Sequence, residues 1–381
     1  MSILRALAHS RAPAAALMAV GMLWGGFASL VPDIKATVGA SDGQFGVALL
    51  MSAVGGIFSM SIAPRVGRRL GHLAMPVVGG LLCLAFLYPA FAGNVVVLGG
   101  ALLLMGATVA MLDITANVEI SARESRLGLH LMNVNHAMFS FAFGFTALGV
   151  GFARQAGLGP AQILPVLAVI NILFVLLMIS RRAAPMDEDE TDQPRRIPWV
   201  AIGLTGLVLF ASFIGENATE AWSALHIERT LGAAAGEGSL GPATLGFVMG
   251  IGRLFGQVIA ERLGHARLIF WSGAMGIVGA LIIAGAPAPW VVILGVAVTA
   301  LGMAVIVPSA NSMLGALVTD RQRSHALSRA WMFGIVGFFI GPAMMGGVSE
   351  LFGLRISFVV VSGIIALILP AVWLLDRQPK A

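Results

Sequence analysis

The chain has 381 residues, of which 58% are hydrophobic and only 11% are charged, with a mean hydropathy of +0.93. So few charged side chains cannot cover the surface of a water-soluble protein, and the composition therefore predicts a membrane protein. The formal net charge of +5 does not indicate a nucleic-acid partner, because the basic residues lie at the ends of apolar segments, where they meet lipid head groups. The single cysteine, Cys83, excludes an internal disulfide and a cysteine metal cluster.

Apolar segments long enough to cross a bilayer follow one another along the whole chain. A transmembrane helix needs about 20 predominantly apolar residues. The predicted spans are 13–32, 42–62, 73–92, 94–117, 128–152, 160–180, 198–225, 240–261, 266–286, 289–316, 325–348 and 352–375. The sequence therefore predicts an all-α membrane protein with twelve transmembrane helices.

The distribution of basic residues predicts the orientation of these helices. If both termini face the cytoplasm, that side carries 18 of the 23 Lys and Arg residues, and Arg253 lies inside a span. The opposite side carries only 4, which are Lys35, Arg154, Arg229 and Arg355. Because positive residues concentrate on the cytoplasmic side, we expect a multi-pass protein of the bacterial inner membrane with cytoplasmic termini. The first span is too long for a signal peptide and lacks a small-residue cleavage site, so we expect it to be retained.

Two short motifs occur twice, about half the chain apart. The basic turn PRVGRRLGH at 64–72 is similar to ERLGHAR at 261–267, and TAN at 115–117 is similar to SAN at 309–311. Such duplication predicts two pseudo-symmetric six-helix bundles that face each other, an architecture used by transporters. We expect bundles at 1–182 and 198–381, joined by a cytoplasmic linker at 183–197. The five acidic residues of that linker indicate a solvated segment, and a partner-binding role for it stays open.

The first basic turn resembles the loop after the second helix of the major facilitator superfamily. The superfamily pattern Gly-x-Leu-Ala-Asp-Arg-x-Gly-Arg-Arg corresponds to MSIAPRVGRR at 60–69, with Met60 replacing the glycine and Pro64 the aspartate. The resemblance implies a cytoplasmic gate made by Arg65, Arg68, Arg69, Glu261 and Arg262. The change at Pro64 removes the usual charge partner of that gate. The run GFFIGP at 337–342 also resembles a packing motif of the superfamily, so we expect Gly341 to lie where two helices nearly touch.

Other stretches resemble one branch of that superfamily, the MosC/YbjJ-like transporters, which are related to the fucose permease. Residues 32–35 (PDIK) and 41–46 (SDGQFG) are similar to that branch's Ile-Pro-Asp-Ile-Lys and Leu-Ser-Asp-x-Gln-Leu-Gly runs. Residues 112–117 (LDITAN), 133–139 (NVNHAMF) and 220–225 (EAWSAL) match the same group. The resemblance covers almost the whole chain and implies alternating-access transport, but it does not identify a solute.

Three carboxylates in or near predicted spans are candidates for proton coupling. A charged residue at the centre of a membrane helix costs about 2.5–3.5 kcal/mol on insertion scales, so it normally serves a function. Asp113 lies deep in the fourth span, one helical turn before Asn117, and the fucose-permease resemblance implies a proton-handling acid on this helix. Asp33 and Glu216 are the other two candidates. Other roles for these acids stay open. Asp113 can serve helix packing, and Asp33 can belong to a helix-ending turn. Glu220, four residues after Glu216, can mark only the exit.

Polar and aromatic side chains in the spans are candidates for binding the solute. Asparagine offers both donors and acceptors, which suits hydroxyl-rich ligands, and histidine titrates near physiological pH. The predicted substrate-binding residues are Asn117, Asn133, Asn135, His136, Asn311, Trp24, Trp222 and Trp331. Helix packing is the alternative for His136, and an interfacial belt is the alternative for the tryptophans. Arg253 resembles the Gly-Arg of the eighth span in this branch. Its alternative role is snorkelling or a salt bridge at the cytoplasmic side, for example to Glu261.

The function class follows from the transporter motifs that the sequence carries and from the enzyme motifs that it lacks. The sequence carries no phosphate-binding loop and no recognisable catalytic arrangement, so we predict no enzyme activity, cofactor or metal site. We predict a monomeric secondary transporter, a proton symporter of a small polar, sugar-like solute. Proton-driven efflux of amphipathic compounds is the alternative, favoured by the 19 Met and 21 Phe residues. A non-transporting membrane receptor is a remote third.

Overall fold

A computed structural model describes residues 3–129, 131–180 and 198–379. Over these ranges the regular structure is helical, without a β-strand. The helices of the first half are α1 (Ile3–His9), α2 (Arg11–Thr37), α3 (Asp42–Leu70), α4 (Ala74–Ala85), α5 (Val95–Leu127), α6 (Met132–Gln155) and α7 (Pro160–Met178). Those of the second half are α8 (Trp199–Leu225), α9 (Leu240–Leu263), α10 (His265–Gly285), α11 (Pro289–Met303), α12 (Ile306–Ala316), α13 (Asp320–Ala366) and α14 (Ile368–Asp376). The predicted linker at 183–197 lies outside the described residues, so the domain boundaries stay a prediction.

Most of these helices have the length and composition of membrane spans. Nine stretches of the described chain are long and apolar enough to cross a bilayer. Two of them contain two helical arms each, because Asp42–Phe91 is divided by the short turn at Gly71–Leu73 and His325–Asp376 is divided at Gly353, where φ is 82°. If each of these two stretches is counted as two helices and α9 is added, the described chain has twelve candidate spans, which fits the twelve predicted ones.

Local sequence determines where the helices begin and end. Ser41 and Gln44 form a capping box at the start of α3, in which Ser41 Oγ accepts from the Gln44 amide at 3.3 Å and Gln44 Oε1 accepts from the Ser41 amide at 3.1 Å. Asn94 Oδ1 caps α5 by accepting from two backbone amides at 3.0 Å. Gly128 ends α5 in the left-handed conformation, with φ of 64°. The predicted boundary before residue 94 is therefore correct, whereas α5 continues well beyond its predicted end at 117.

Glycines allow α13 to approach α8 closely, but not at the predicted position. A Cβ atom on Gly337 would lie 2.5 Å from the carbonyl oxygen of Phe210 on α8, a distance that real Cβ atoms do not tolerate. A Cβ atom on Gly341 would lie 3.7 Å from Ile214 Cγ1, which is ordinary van der Waals contact. The expected close contact therefore occurs one helical turn earlier, and the prediction for Gly341 was wrong.

The alternating helices define two faces of the molecule. The start of α2 and the end of α7 meet at one face, where the Arg11 guanidinium donates to the Ile179 carbonyl oxygen at 3.3 Å. We call this the terminal face. The connections 38–41, 156–159 and 226–239 lie at the opposite face, which we call the distal face. The two halves contact each other between these faces and at the distal face.

Candidate functional site

A cavity of about 280 Å³ lies between the two halves of the chain. Helices α2, α3, α5 and α6 of the first half and helices α8 and α13 of the second half line it. Its wall is mostly apolar, and its aromatic members are Trp24, Phe27, Phe139, Phe338 and Phe339. Because ligand pockets are mostly apolar with a few placed polar groups, this cavity is the candidate site.

The polar side chains of this cavity come from three helices, and Ser52 is the one on α3. Asp113 projects from α5, and Glu216, Asn217 and Glu220 project from α8. Glu216 and Glu220 are four residues apart and share one face of the helix. The Arg253 guanidinium on α9 donates to Glu216, with Nη2 3.3 Å from Oε1, and its Nη1 donates to Ser140 Oγ on α6 at 2.6 Å. Arg253 therefore offsets the charge of one cavity acid and joins the two halves.

Two acceptor atoms of the cavity lack a hydrogen-bond partner within the described protein. They are Asn217 Oδ1 and Glu220 Oε1, both fully shielded as atoms. The Asn217 residue as a whole is only 9% exposed. Buried polar atoms in folded proteins are nearly always hydrogen-bonded, so two such atoms without a partner on neighbouring turns of one helix require an explanation. We call these two atoms the orphan acceptors.

Ion pairs join the two halves at the distal face. Arg154 at the end of α6 binds Asp33 of α2 through Nε–Oδ2 and Nη2–Oδ1 distances of 2.7 and 2.6 Å. The same guanidinium binds Glu228, which follows α8, through Nη1–Oε1 and Nη2–Oε2 distances of 2.6 and 2.8 Å. Arg154 is only 4% exposed, so solvent screens these bonds little. Glu228 also accepts from the Gly236 and Gly238 amides, which attaches the loop after α8 to this pair.

A second ionic group lies at the same face around Asp42, the first residue of α3. Asp42 accepts hydrogen bonds from Arg229 and Ser349 of the second half, and Lys35 Nζ lies 3.0 Å from its Oδ1. Glu350 Oε2 accepts from the Gly43 amide at 3.1 Å. The two groups together form what we call the distal latch, whose residues are Asp33, Lys35, Asp42, Arg154, Glu228, Arg229, Ser349 and Glu350. The latch holds the halves together at the distal face.

Comparison with known proteins shows which transporters the chain resembles. The family model described as Major Facilitator Superfamily matches residues 205–381. An uncharacterized MFS-type transporter of Yersinia pestis is 25% identical over 357 residues, which covers 93% of this chain and 91% of that protein. The second half of the chain thus matches the major facilitator superfamily, and a relative named as a transporter of that superfamily matches nearly its whole length. The membrane protein MosC of Rhizobium meliloti is 25% identical over 358 residues, covering 91% of this chain and 85% of MosC.

A solved structure supports the same fold. A bacterial homologue of the human lysosomal transporter Spinster, in an inward-facing and occupied conformation, matches with a TM-score of 0.76 at 15% identity, covering 100% of this chain and 98% of that chain. Identity this low shows the fold alone. The predicted all-α membrane fold is thus confirmed, and so is the resemblance to major facilitator transporters, which are not enzymes.

Three of the predicted site residues line the central cavity. They are Trp24, Asp113 and Glu216. The Trp24 ring stacks on Phe27, with ring centroids 5.5 Å apart, and so contributes to the aromatic wall. Asp33, the remaining predicted coupling acid, lies instead in the distal latch, where Arg154 binds both of its carboxylate oxygens. The roles of all four residues stay predictions.

Most of the predicted asparagine and histidine ligands bind other side chains of the protein. His136 Nε2 and Asn117 Oδ1 are 3.0 Å apart, and Asn311 Oδ1 accepts from Trp331 Nε1 at 3.2 Å. Asn135 is fully buried, and its Nδ2 donates to Ser10 Oγ at 3.0 Å. None of these five residues is among the side chains that line the central cavity.

The last two predicted ligands also lie away from the central cavity. Trp222 is fully buried, and its ring packs edge-to-face on Phe45, with centroids 5.9 Å apart. Asn133 lines a second cavity of about 370 Å³, together with Arg253, Glu261 and His265. Arg253 therefore lies between the two cavities, and its pairing with Glu216 differs from the pairing with Glu261 that the sequence left open.

The predicted gate residues lie at the ends of α3 and α9. Arg65, Arg68 and Arg69 are in the last turns of α3, which continues through Pro64 to Leu70. Glu261 and Arg262 are in the last turn of α9. The Arg65 guanidinium donates to the Ser61 carbonyl oxygen of its own helix at 3.2 Å. The two motif copies thus end equivalent helices, as the repeat implies, and their gating role stays a prediction.

Sequence reasoning missed the distal latch and the amide of Asn217. One signal for the latch was present, because three of the four basic residues counted on the side opposite the termini (Lys35, Arg154 and Arg229) bind its acids. Because this face carries so few basic residues, each of them is a candidate for an ion pair. The sequence does not show which acid each one meets, because the partners are up to 187 residues apart.

Proposed function

We propose that this protein is a proton-driven exporter of small amphipathic compounds, which works as a monomer with cytoplasmic termini in the bacterial inner membrane. The observation that carries the proposal is the wall of the central cavity, in which five aromatic rings surround a few carboxylates. Such a wall suits a solute with an apolar body better than one covered with hydroxyl groups. The superfamily moves its solutes by rocking two halves around a central site.

Proton coupling is assigned to Asp113. This carboxylate lines the apolar cavity, and a charged carboxylate is unfavourable in a cavity that closes and excludes water. Protonation neutralises the side chain, so the proton favours the closed conformations that the charged form disfavours. Glu216 is less suited to this role because its charge is already balanced by Arg253.

The conformation fits the loading step of an export cycle, as it would also fit the release step of an import cycle. Because the latch closes the distal face, we infer that this state opens toward the termini. With cytoplasmic termini, it is the state in which a transporter receives a solute from the cytoplasm.

Proton symport of a polar, sugar-like solute is the second candidate, favoured by the resemblance to the fucose permease. Its predicted ligands Asn117 and His136 bind each other, and Asn135 binds Ser10. The cavity then offers such a solute one amide, that of Asn217. We therefore place it after amphipathic export.

Proteoliposomes with an imposed proton gradient test the proposal. We expect gradient-driven movement of amphipathic dyes in the wild-type protein, and loss of that movement in Asp113→Asn, which fixes the neutral form with nearly the same shape. Exchange down a concentration gradient should survive in this variant. Asp376→Asn, at the exposed end of α14, is the matched control.

Two results would contradict the proposal. Full gradient-driven transport by Asp113→Asn would remove the coupling assignment and transfer it to Glu216 or His136. Movement of sugars but not of amphipathic dyes would make the second candidate the better one.

A further inference from the structure

We propose that Glu220 and Asn217 form a binding site for an ammonium group, so that the compounds exported are amphipathic amines. This inference rests on the proposed function and adds the charge of the solute to it. It depends on three observations about α8 and its surroundings, namely the charge balance of the cavity, the two acceptor atoms without a partner and the aromatic wall of the cavity that they line.

The cavity has an excess of negative charge. Asp113, Glu216 and Glu220 are its lining carboxylates, and none of its described lining residues is basic. Arg253 reaches Glu216 from outside this lining, so one carboxylate is balanced. A proton neutralises Asp113 in the proposed cycle. Glu220 then remains as the carboxylate whose charge a bound solute balances, and an unpaired buried charge is strongly unfavourable.

The two orphan atoms have the spacing and chemistry of one ammonium site. Residues three apart on an α-helix lie on the same face, so the side chains of Asn217 and Glu220 are neighbours. Asn217 Oδ1 and Glu220 Oε1 are both acceptors without a protein partner. An ammonium group carries donors and no acceptor, so it can satisfy both atoms at once. A carboxylate or a phosphate on the solute would instead be repelled.

The surroundings of the two atoms stabilise a positive charge. A Cβ atom on Gly341 of α13 would lie in ordinary van der Waals contact with Asn217 Oδ1, at 3.8 Å, so α13 packs close beside this oxygen. Trp24, Phe139 and Phe338 belong to the same wall. The faces of aromatic rings attract cations electrostatically, most strongly where water is excluded. An amine with an apolar body therefore matches both parts of the cavity.

Binding of three ligands with one apolar body tests the charge class in the full-length protein. The probes are 4-phenylbutylamine, 4-phenylbutanol and 4-phenylbutyrate, and their dissociation constants are measured by equilibrium dialysis against protein in nanodiscs at neutral pH. We expect the amine to bind at least about tenfold more tightly than the alcohol, because hydrogen bonds to a charged group are the strong ones. The butyrate should bind most weakly. Equal affinities for all three would overturn the amine site and leave amphipathic export standing, whereas no binding of any would overturn both.

Variants then test the residues. Glu220→Gln should lower the affinity for the amine about tenfold and leave that for the alcohol unchanged. Asn217→Ala should act in the same direction with a smaller effect, and Asp376→Asn should change neither affinity. Retention of the wild-type amine affinity in Glu220→Gln would overturn the assignment. The comparison of the three ligands in the wild-type protein does not depend on whether either variant folds.

Discussion

If the distal latch holds the distal face closed, then removing one of its negative charges should shift the equilibrium between the closed and open conformations of that face. Glu228→Gln keeps the size of the side chain and an oxygen for the Gly236 and Gly238 amides, but it removes the charge that binds Arg154. Arg154 keeps Asp33 as a partner, so no buried charge is left unpaired. The loss is that of charge-assisted hydrogen bonds with little solvent exposure, about 1.5–3 kcal/mol. The closed distal face is the state that loses this stabilisation.

A change of about 1.4 kcal/mol alters an equilibrium constant tenfold, so the ratio of closed to open distal faces should fall about 10- to 100-fold. A protein about 99% closed would become about 50–90% closed.

Spin labels on Ala36→Cys and Ala234→Cys, two exposed positions at the distal face, report the separation of the halves in a Cys83→Ser background. Pulsed electron spin resonance should show a new population at longer distance. Glu237→Gln, an acid in the same loop without a described ion pair, is the control. An unchanged distance distribution in Glu228→Gln would refute the reasoning that the latch holds the distal face closed.

Two further predictions concern packing and topology. Gly337→Ala should destabilise the protein by about 1–3 kcal/mol and lower its melting temperature, because the new Cβ atom would overlap the Phe210 carbonyl oxygen. The control variant Gly341→Ala should have a melting temperature close to that of the wild type. Equal melting temperatures of the two variants would contradict this account of the α8–α13 contact. Thr191→Cys in the predicted cytoplasmic linker should resist impermeant thiol reagents in intact cells, and rapid labelling would reverse the proposed orientation.

Much of the fold could be predicted because the bilayer leaves the chain few choices. A backbone in hydrocarbon must satisfy its own hydrogen bonds, so each long apolar segment becomes a helix. The errors occurred where other forces extend a helix beyond its apolar part. Helix α5 continues past 117 through Glu119 and Arg123, whose side chains pair at 2.7 Å across one helical turn. Helix α3 likewise continues through Pro64, where the resemblance indicated a loop.

The candidate site was harder to predict, because hydropathy identifies the buried polar residues without showing what each one meets. Asp113 and Glu216 were found because an acid within an apolar segment is unfavourable wherever it points. Asp33 has the same chemistry, yet the end of its helix brings it to Arg154, 121 residues later in the chain. The difference between a cavity acid and a latch acid is therefore a matter of depth and tertiary partners.

The asparagines show the same limit more clearly. Asn117, Asn135 and Asn217 all lie in apolar helices and offer the same donors and acceptors. Asn117 meets His136, and Nδ2 of Asn135 meets Ser10, so these hydrogen bonds hold helices together. Asn135 Oδ1 has no partner in the described protein, but Asn135 does not line the cavity. Asn217 lines the cavity with its oxygen unmatched, and it is the one that sequence reasoning did not select. A buried amide is available to a solute when it lines the cavity and the protein leaves it unsatisfied, so the two unpartnered atoms of α8 that line the cavity, more than the number of polar residues in the spans, indicate where a ligand binds.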